Sequence, residues 1–265
     1  MNQNMITCRV FEGLGNRINA IASAMTTGRA TTVFWAVNSH CPAPSKAVFK
    51  PIENLKFIDQ EVVTYNYVVN KRELCWFYPR NIHLLPVDVF RRRLHKAYRT
   101  ILESFQVSTW AKPSSNALGL HYRSFLADTD TLNSFLASVS KVSTAISPPV
   151  VHVASDCSLA KQQIVAHMEG LGVAASVNSC RLMTHDLDRS LLSVFGMCRD
   201  LRSLACCNLG VVTNSSQSTV VDSLRGFGVQ AYHTFDGGFR TGGDRDDLAE
   251  GSPVQSLIDK HKIGS

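Results

Sequence analysis

Four short stretches of this 265-residue chain hold side chains that could do chemistry together. They are residues 13–17 (GLGNR), 121–124 (HYRS), 154–156 (ASD) and 214–218 (NSSQS). Arg123 could bond two phosphate oxygens at once through charge-assisted contacts. Ser215, Ser216 and Ser218 could present O–H and N–H donors to phosphate or ribose at a helix start. Gly13 and Gly15 let backbone come close to an anion over a helix N-terminus. Asp156 could accept from a base edge or from ribose hydroxyls. The set suits a diphosphate with a sugar or base attached. Each member also has a plainer use. The segments around Asp156 and the serines precede helical periods, where such residues cap, and Arg123 could pair with a helix end. His121 and His152 read as satisfied sheet histidines. No HExxH motif and no Cys/His cluster supports a metal site, and no GxSxG supports a covalent hydrolase.

Strands and helices must position these residues. Residues 6–11 form an apolar run that reaches a tight turn at 13–17, a small-residue helical stretch at 18–27 follows, and 32–37 is a second apolar run. This is the strand, loop, helix, strand pattern of a βαβ unit. Residues 39–60 are punctuated by prolines and read as irregular, and 62–69 alternate as a strand. Helical spacing over 87–105 places Val89, Phe90, Leu94, Tyr98, Ile101, Leu102 and Phe105 on one side and Arg91, Arg92, Arg93, Lys96 and Arg99 mainly on the other. From 118 onward, apolar runs at 118–122, 149–154, 173–177, 209–213 and 229–235 alternate with helical periods at 130–143, 158–170, 187–207 and 217–226. That rhythm argues for a parallel sheet covered by helices on both faces, with ligands off the carboxyl ends of the strands. Residues 237–251 form a glycine-rich loop, with a lid as the sharper reading, and 253–262 suit a short helix. The expected architecture is two α/β domains, 1–112 and 113–265.

Composition narrows the partners. Hydrophobic content of 45% is ample for a core, and the net charge of +6 favours an anionic partner such as a nucleotide, a phosphate or a nucleic acid. The eight cysteines include no CxxC pair and read as reduced thiols. The N-terminus lacks the features of a signal peptide, and no run is long enough to span a membrane, so a cytoplasmic location is expected. The basic face at 91–99 invites nucleic-acid binding, with a solvated helix face as the bland alternative.

In order along the chain, GLGNR, INAIASA and TGRATTVFW resemble the N-terminal signature of the fucosyltransferase-like superfamily, which includes α1,6-, α1,2- and protein O-fucosyltransferases. LGLHYRS is similar to that group's H-x-R-R motif and VHVASD to its strand ending in a carboxylate. DLRSLACCNLGVVTNSSQSTVVDSLRG is similar to its closing D-L-x-x-L…S-S-F-S segment. The resemblance spans residues 9–226. It implies an α/β, GT-B-like glycosyltransferase: two Rossmann-like domains with parallel sheets and a cleft between them, inverting and metal-independent. GDP-fucose would be the donor substrate, a glycan or other hydroxyl compound the acceptor, and no further cofactor is implied. Carried over, Arg123 would hold the donor diphosphate and stabilise its charge as it leaves. Asp156 would contact the nucleoside, and Ser215, Ser216 and Ser218 the phosphate or ribose. Gly13, Gly15, Asn16 and Arg17 would lie near the diphosphate or acceptor, and His121 joins the donor-binding set. Ser124 stands where the motif has a second arginine, and Gln217 where it has an aromatic. The acid that follows the arginines is displaced, with Asp128 and Asp130 nearest. Glu12, Asp128 and Asp130 are candidates for the base, and Asp128 is taken as catalytic with Arg123. Two alternatives stay open: a nucleic-acid-binding protein, in one version glycosylating a modified DNA base, and a catalytically inactive nucleotide-sugar binder.

Overall fold

The computed structural model describes residues 6–61, 81, 84–107, 116–124, 129–178, 191–214, 218–234 and 252–263. They belong to two compact units. One comprises Met1–Ser108, Arg189–Cys198 and Ser218–Gly226; the other comprises Thr109–Asp188, Arg199–Gln217 and Phe227–Ser265. A single boundary near residue 112 therefore leaves out two later pieces that belong to the first unit.

In the first unit, β1 (Ile6–Val10), β2 (Thr31–Val37) and β3 (Leu55–Glu61) form a parallel sheet in that order. α1 (Leu14–Met25) links β1 to β2, and α2 (Ser45–Val48) and α3 (Val87–Ser104) complete the main run of this unit. The small residues Ala20, Ala22, Ser23 and Ala24 allow α1 to be buried on most sides. The Tyr98 hydroxyl of α3 donates to Asn19 Oδ1 of α1 at 2.6 Å, so the polar pair that this packing buries is satisfied.

Two expectations need correcting here. Residues 13–17 are not a free-standing turn. Gly13 is extended (φ −60°, ψ 159°), α1 begins at Leu14, and the Arg17 N–H reaches the Gly13 carbonyl at 3.2 Å as a helical bond. One glycine at position 15 did not outweigh good helix formers on either side. Residues 39–60 are not wholly irregular either: they contain α2 and β3. β3 carries Lys56, Asp59 and Gln60 as well as Leu55, Phe57 and Ile58, so its apolar content is too sparse to stand out. What fixes it is aromatic packing: Phe57 stacks on Phe49 at 5.2 Å and meets Trp35 edge-on at 6.3 Å. The strand expected at 62–69 and the loop at 237–251 lie outside the described residues.

The second unit runs β4 (Ala117–Tyr122), α4 (Thr129–Ile146), β5 (Val150–Ser155), α5 (Ser158–Gly170), β6 (Ala174–Val177), α6 (Leu191–Leu204), whose residues up to Cys198 belong to the first unit, and β7 (Val211–Thr213). α7 (Ser218–Arg225) then belongs to the first unit, where it packs on α1 and α3. β8 (Ala231–His233), β9 (Ser252–Pro253) and α8 (Val254–Ile263) complete the second unit. Its sheet has the order β6-β5-β4-β7-β8-β9, and every neighbouring pair is parallel. Leu118, Leu120 and Tyr122 of β4 and Val151 and Val153 of β5 are buried with Phe135, Val139, Ile164, Met168 and Leu257 in one core. The period-2 alternation of β4 therefore leaves Gly119 and His121 on the opposite face.

Candidate functional site

An open parallel sheet binds its ligand off the carboxyl ends of the strands, where the strand order reverses. In the second unit the chain moves outward from β4 through β5 to β6, then places β7, β8 and β9 on the other side of β4. The reversal therefore falls between β4 and β7. Arg123 and Ser124 follow β4, Asp156 follows β5, and Asn214 follows β7.

Hydrogen bonds lace these strand ends together. Asn214 Oδ1 accepts from the Arg123 N–H at 2.7 Å, while Asn214 Nδ2 donates to the Arg123 carbonyl at 3.0 Å. On the other side, Asp156 Oδ1 accepts from the Ser124 N–H at 2.7 Å and from Ser124 Oγ at 3.0 Å. The second Asp156 oxygen has no partner among the described residues, and Asp156 is exposed. The residue that replaces the motif's second arginine is thus held by the carboxylate of the neighbouring strand end.

His121 pairs through Nδ1 with Thr213 Oγ1 at 2.8 Å. Burial pushes its imidazole down to about 4, against the pull of the Asp156 and Asp200 carboxylates, with Arg123 and Lys161 adding to the depression. The ring is therefore neutral at pH 7, and Arg123 is the formal cation of this strand end. On the same sheet face lies a polar network that the sequence did not reveal. Asn178 Nδ2 donates to Asp200 Oδ1 at 2.7 Å, Lys161 reaches Asp200 Oδ2 at 3.3 Å, and His152 Nδ1 pairs with Ser176 Oγ at 3.1 Å. Its members lie on four different elements or their ends, so no local spacing could signal it. Asn214 stands in the 214–218 stretch, but its pairing is not legible there for the same reason: its partner is 91 residues away.

In the first unit, Gly13 has open space where a Cβ would lie, and the Asn16 side chain has no hydrogen-bond partner among the described residues. The first turn of α1 contains no acidic residue to offset the positive end of the helix dipole. Arg17 differs. It is 1% exposed, and its guanidinium lies 4.5 Å over the Trp35 ring. Nε donates to the Glu12 carbonyl, Nη1 to the Ala36 carbonyl, and Nη2 to the Phe11 carbonyl (3.1 Å) and Asn38 Oδ1 (3.0 Å). The donor-binding role expected of Arg17 is corrected on this geometry: its fork ties the ends of β1 and β2 together and is turned into the protein.

Asp128, Ser215 and Ser216 lie outside the described residues. Ser218 opens α7. Part of the basic side of α3 is paired within its own unit, through exposed ion pairs at Arg92 and Arg99 and a carbonyl contact at Arg93. Arg92 pairs with Asp88 (3.0 Å), Arg99 with Glu103 (2.9 Å), and Arg93 donates to the Thr26 carbonyl (2.9 Å). Cys41, Cys157, Cys206 and Cys207 carry free thiols. Among the described residues no group of three His, Cys, Asp or Glu side chains is arranged to hold a metal, and no helix is long and apolar enough to cross a membrane.

No protein-family model matches the chain, and no curated protein matches it in sequence. Solved structures do. The chain is similar to the crystal structure of the fucosyltransferase NodZ from Bradyrhizobium, with a TM-score of 0.52 and 16% identity over 85% of this chain and 93% of that one. It also matches POFUT1 in complex with GDP, with a TM-score of 0.40 and 10% identity over 86% of this chain and 95% of that one. The likeness to NodZ shows a shared fold: α/β, with parallel sheets.

Proposed function

We propose that this protein is an inverting glycosyltransferase that moves a sugar, fucose from GDP-fucose in the first instance, onto an acceptor hydroxyl. The observation that carries the proposal is the placing of Arg123 at the point of strand reversal of a parallel sheet, in a chain that shares its fold with a fucosyltransferase. Arg123 binds the donor diphosphate and stabilises the charge that grows on its β-phosphate as the bond to the anomeric carbon breaks. Ser215, Ser216 and Ser218 donate to phosphate or ribose, and the second oxygen of Asp156 accepts from the nucleoside. His121, being neutral, adds no charge and can exchange hydrogen bonds with the donor. Gly13, Gly15 and Asn16 offer the polar start of α1 to a phosphate or an acceptor group. Asp128 takes the acceptor proton.

A second reading has its own observation. Ser124 stands in place of an arginine and is tied to Asp156, so the strand end carries one fewer cation than the motif it resembles. That arrangement would also suit a protein that binds a nucleotide sugar without turning it over. Two measurements on one panel separate them: thermal stabilisation by GDP-, UDP- and dTDP-sugars, and release of nucleotide from each with and without a mixture of glycan acceptors. Turnover of a GDP-sugar supports the transferase. Binding without turnover leaves the inactive binder, and neither binding nor turnover across the panel overturns both.

A further inference from the structure

We propose that Asn214 is a positioning residue whose side-chain amide fixes the backbone of Arg123 and so aims its guanidinium at the donor; the inference rests on the reading of Arg123 given above. Beyond their last paired residues, parallel strands normally diverge into loops, and a side chain there samples many directions. β4 and β7 pair up to His121 and Thr213. Past that point the Asn214 main chain can offer only a long contact, its N–H to the His121 carbonyl at 3.4 Å. The side-chain amide takes over. It accepts from the Arg123 N–H at 2.7 Å and donates to the Arg123 carbonyl at 3.0 Å, so one primary amide meets both main-chain groups that an adjacent strand would otherwise pair.

The amide is well suited to this task. Asn214 is 8% exposed, so neither bond competes freely with water. An amide carries a donor and an acceptor side by side, and here each finds its counterpart on one residue. Asp156 holds the next residue, Ser124, through its N–H and hydroxyl from the other side of β4. Arg123 thus leaves a backbone pinned at its own N–H and carbonyl and at the residue that follows. A cation stabilises developing charge best when it is already in place, because it then costs no reorganisation during the reaction. Asparagine here is therefore tied to Arg123 and, through it, to the β-phosphate.

The test is calorimetric titration of GDP and GMP into the wild-type protein, Asn214→Ala, Arg123→Ala and the double variant, with melting temperatures measured alongside. The monophosphate lacks the group that Arg123 grips. The expected result is that Asn214→Ala weakens GDP at least tenfold and GMP less than twofold. The double variant should bind GDP no more weakly than Arg123→Ala alone. Equal losses for GDP and GMP, losses that add in the double variant, or unchanged GDP affinity would each overturn the inference. Should the alanine variant fail to fold, Asn214→Ser, which is too short to span both groups, is expected to give the same pattern. A wild-type protein that binds neither GDP nor any of UDP, dTDP and ADP refutes the functional reading itself, and the inference falls with it. Binding by the wild type with an indifferent Asn214 variant refutes the inference alone.

Discussion

Replacing Arg17 with methionine should destabilise the first unit strongly and is the perturbation whose size the structure constrains best. The guanidinium is 1% exposed and donates to three carbonyls and one side-chain oxygen. Methionine keeps much of the volume and the contact with Trp35 but removes every donor. The Phe11 carbonyl retains Asn38 Nδ2 at 2.7 Å and Asn38 Oδ1 retains the His40 and Cys41 N–H groups at 3.0 Å, whereas the carbonyls of Glu12 and Ala36 lose the arginine. Each buried acceptor left without its donor costs about 1–3 kcal/mol, and the Glu12 and Ala36 carbonyls are two such acceptors. About 2–6 kcal/mol is therefore expected, which corresponds to a fall in melting temperature on the order of 10 °C. Circular dichroism on heating, repeated as a urea titration, measures it. Arg17→Lys should recover part of the loss, since an ammonium keeps the charge but cannot fork to acceptors on both strand ends. A methionine variant that melts within about 2 °C of the wild type but binds GDP at least tenfold more weakly would refute the reasoning. It would return Arg17 to the ligand.

Three further outcomes are expected. Arg123→Lys should lower turnover of the sugar donor by about 10²-fold with little change in melting temperature, because lysine cannot make the forked phosphate contact; near wild-type turnover would remove Arg123 from the chemistry. His121 is held at about 4 against an ordinary value of 6.5, so the unfolded chain takes up a proton first as pH falls. Stability present above pH 6.5 is then lost between about 6.5 and 4. The loss is about 2–3 kcal/mol after allowance for the ring's partial exposure, and urea midpoints of the wild type and His121→Gln across that range would show it. Gly119→Ala should cost about 1–3 kcal/mol, since its Cβ would lie 2.7 Å from Val211 Cγ2 and 2.9 Å from Leu204 Cδ2; an unchanged urea midpoint would contradict that packing.

The fold was most legible where the sequence is periodic. The alternation of apolar runs and helical periods after residue 118 gave β4 through β8 and α4 through α7 nearly in place, because a buried parallel strand is a dense apolar run and a covering helix repeats at threes and fours. β3 escaped notice because it is held from outside itself, by Phe49 and Trp35 packing on Phe57. The α1 start was misplaced because glycines read as loop when nothing shows that Gly13 alone serves as the extended residue before the helix. Residue type identified Arg123 and Asp156 as candidates, yet could not show that one Asp156 oxygen is already committed to Ser124. It also made Arg17 look like Arg123. The difference between them is burial and partners, which depend on strand ends that meet only in the folded chain.

The most direct measurement of the central claim is a crystal structure of the protein with GDP. The account predicts the nucleotide at the carboxyl ends of β4, β5 and β7, its diphosphate bonded to the Arg123 guanidinium and the Asn214 amide still holding the Arg123 backbone. A nucleotide bound elsewhere, or a diphosphate that leaves Arg123 untouched, would contradict it.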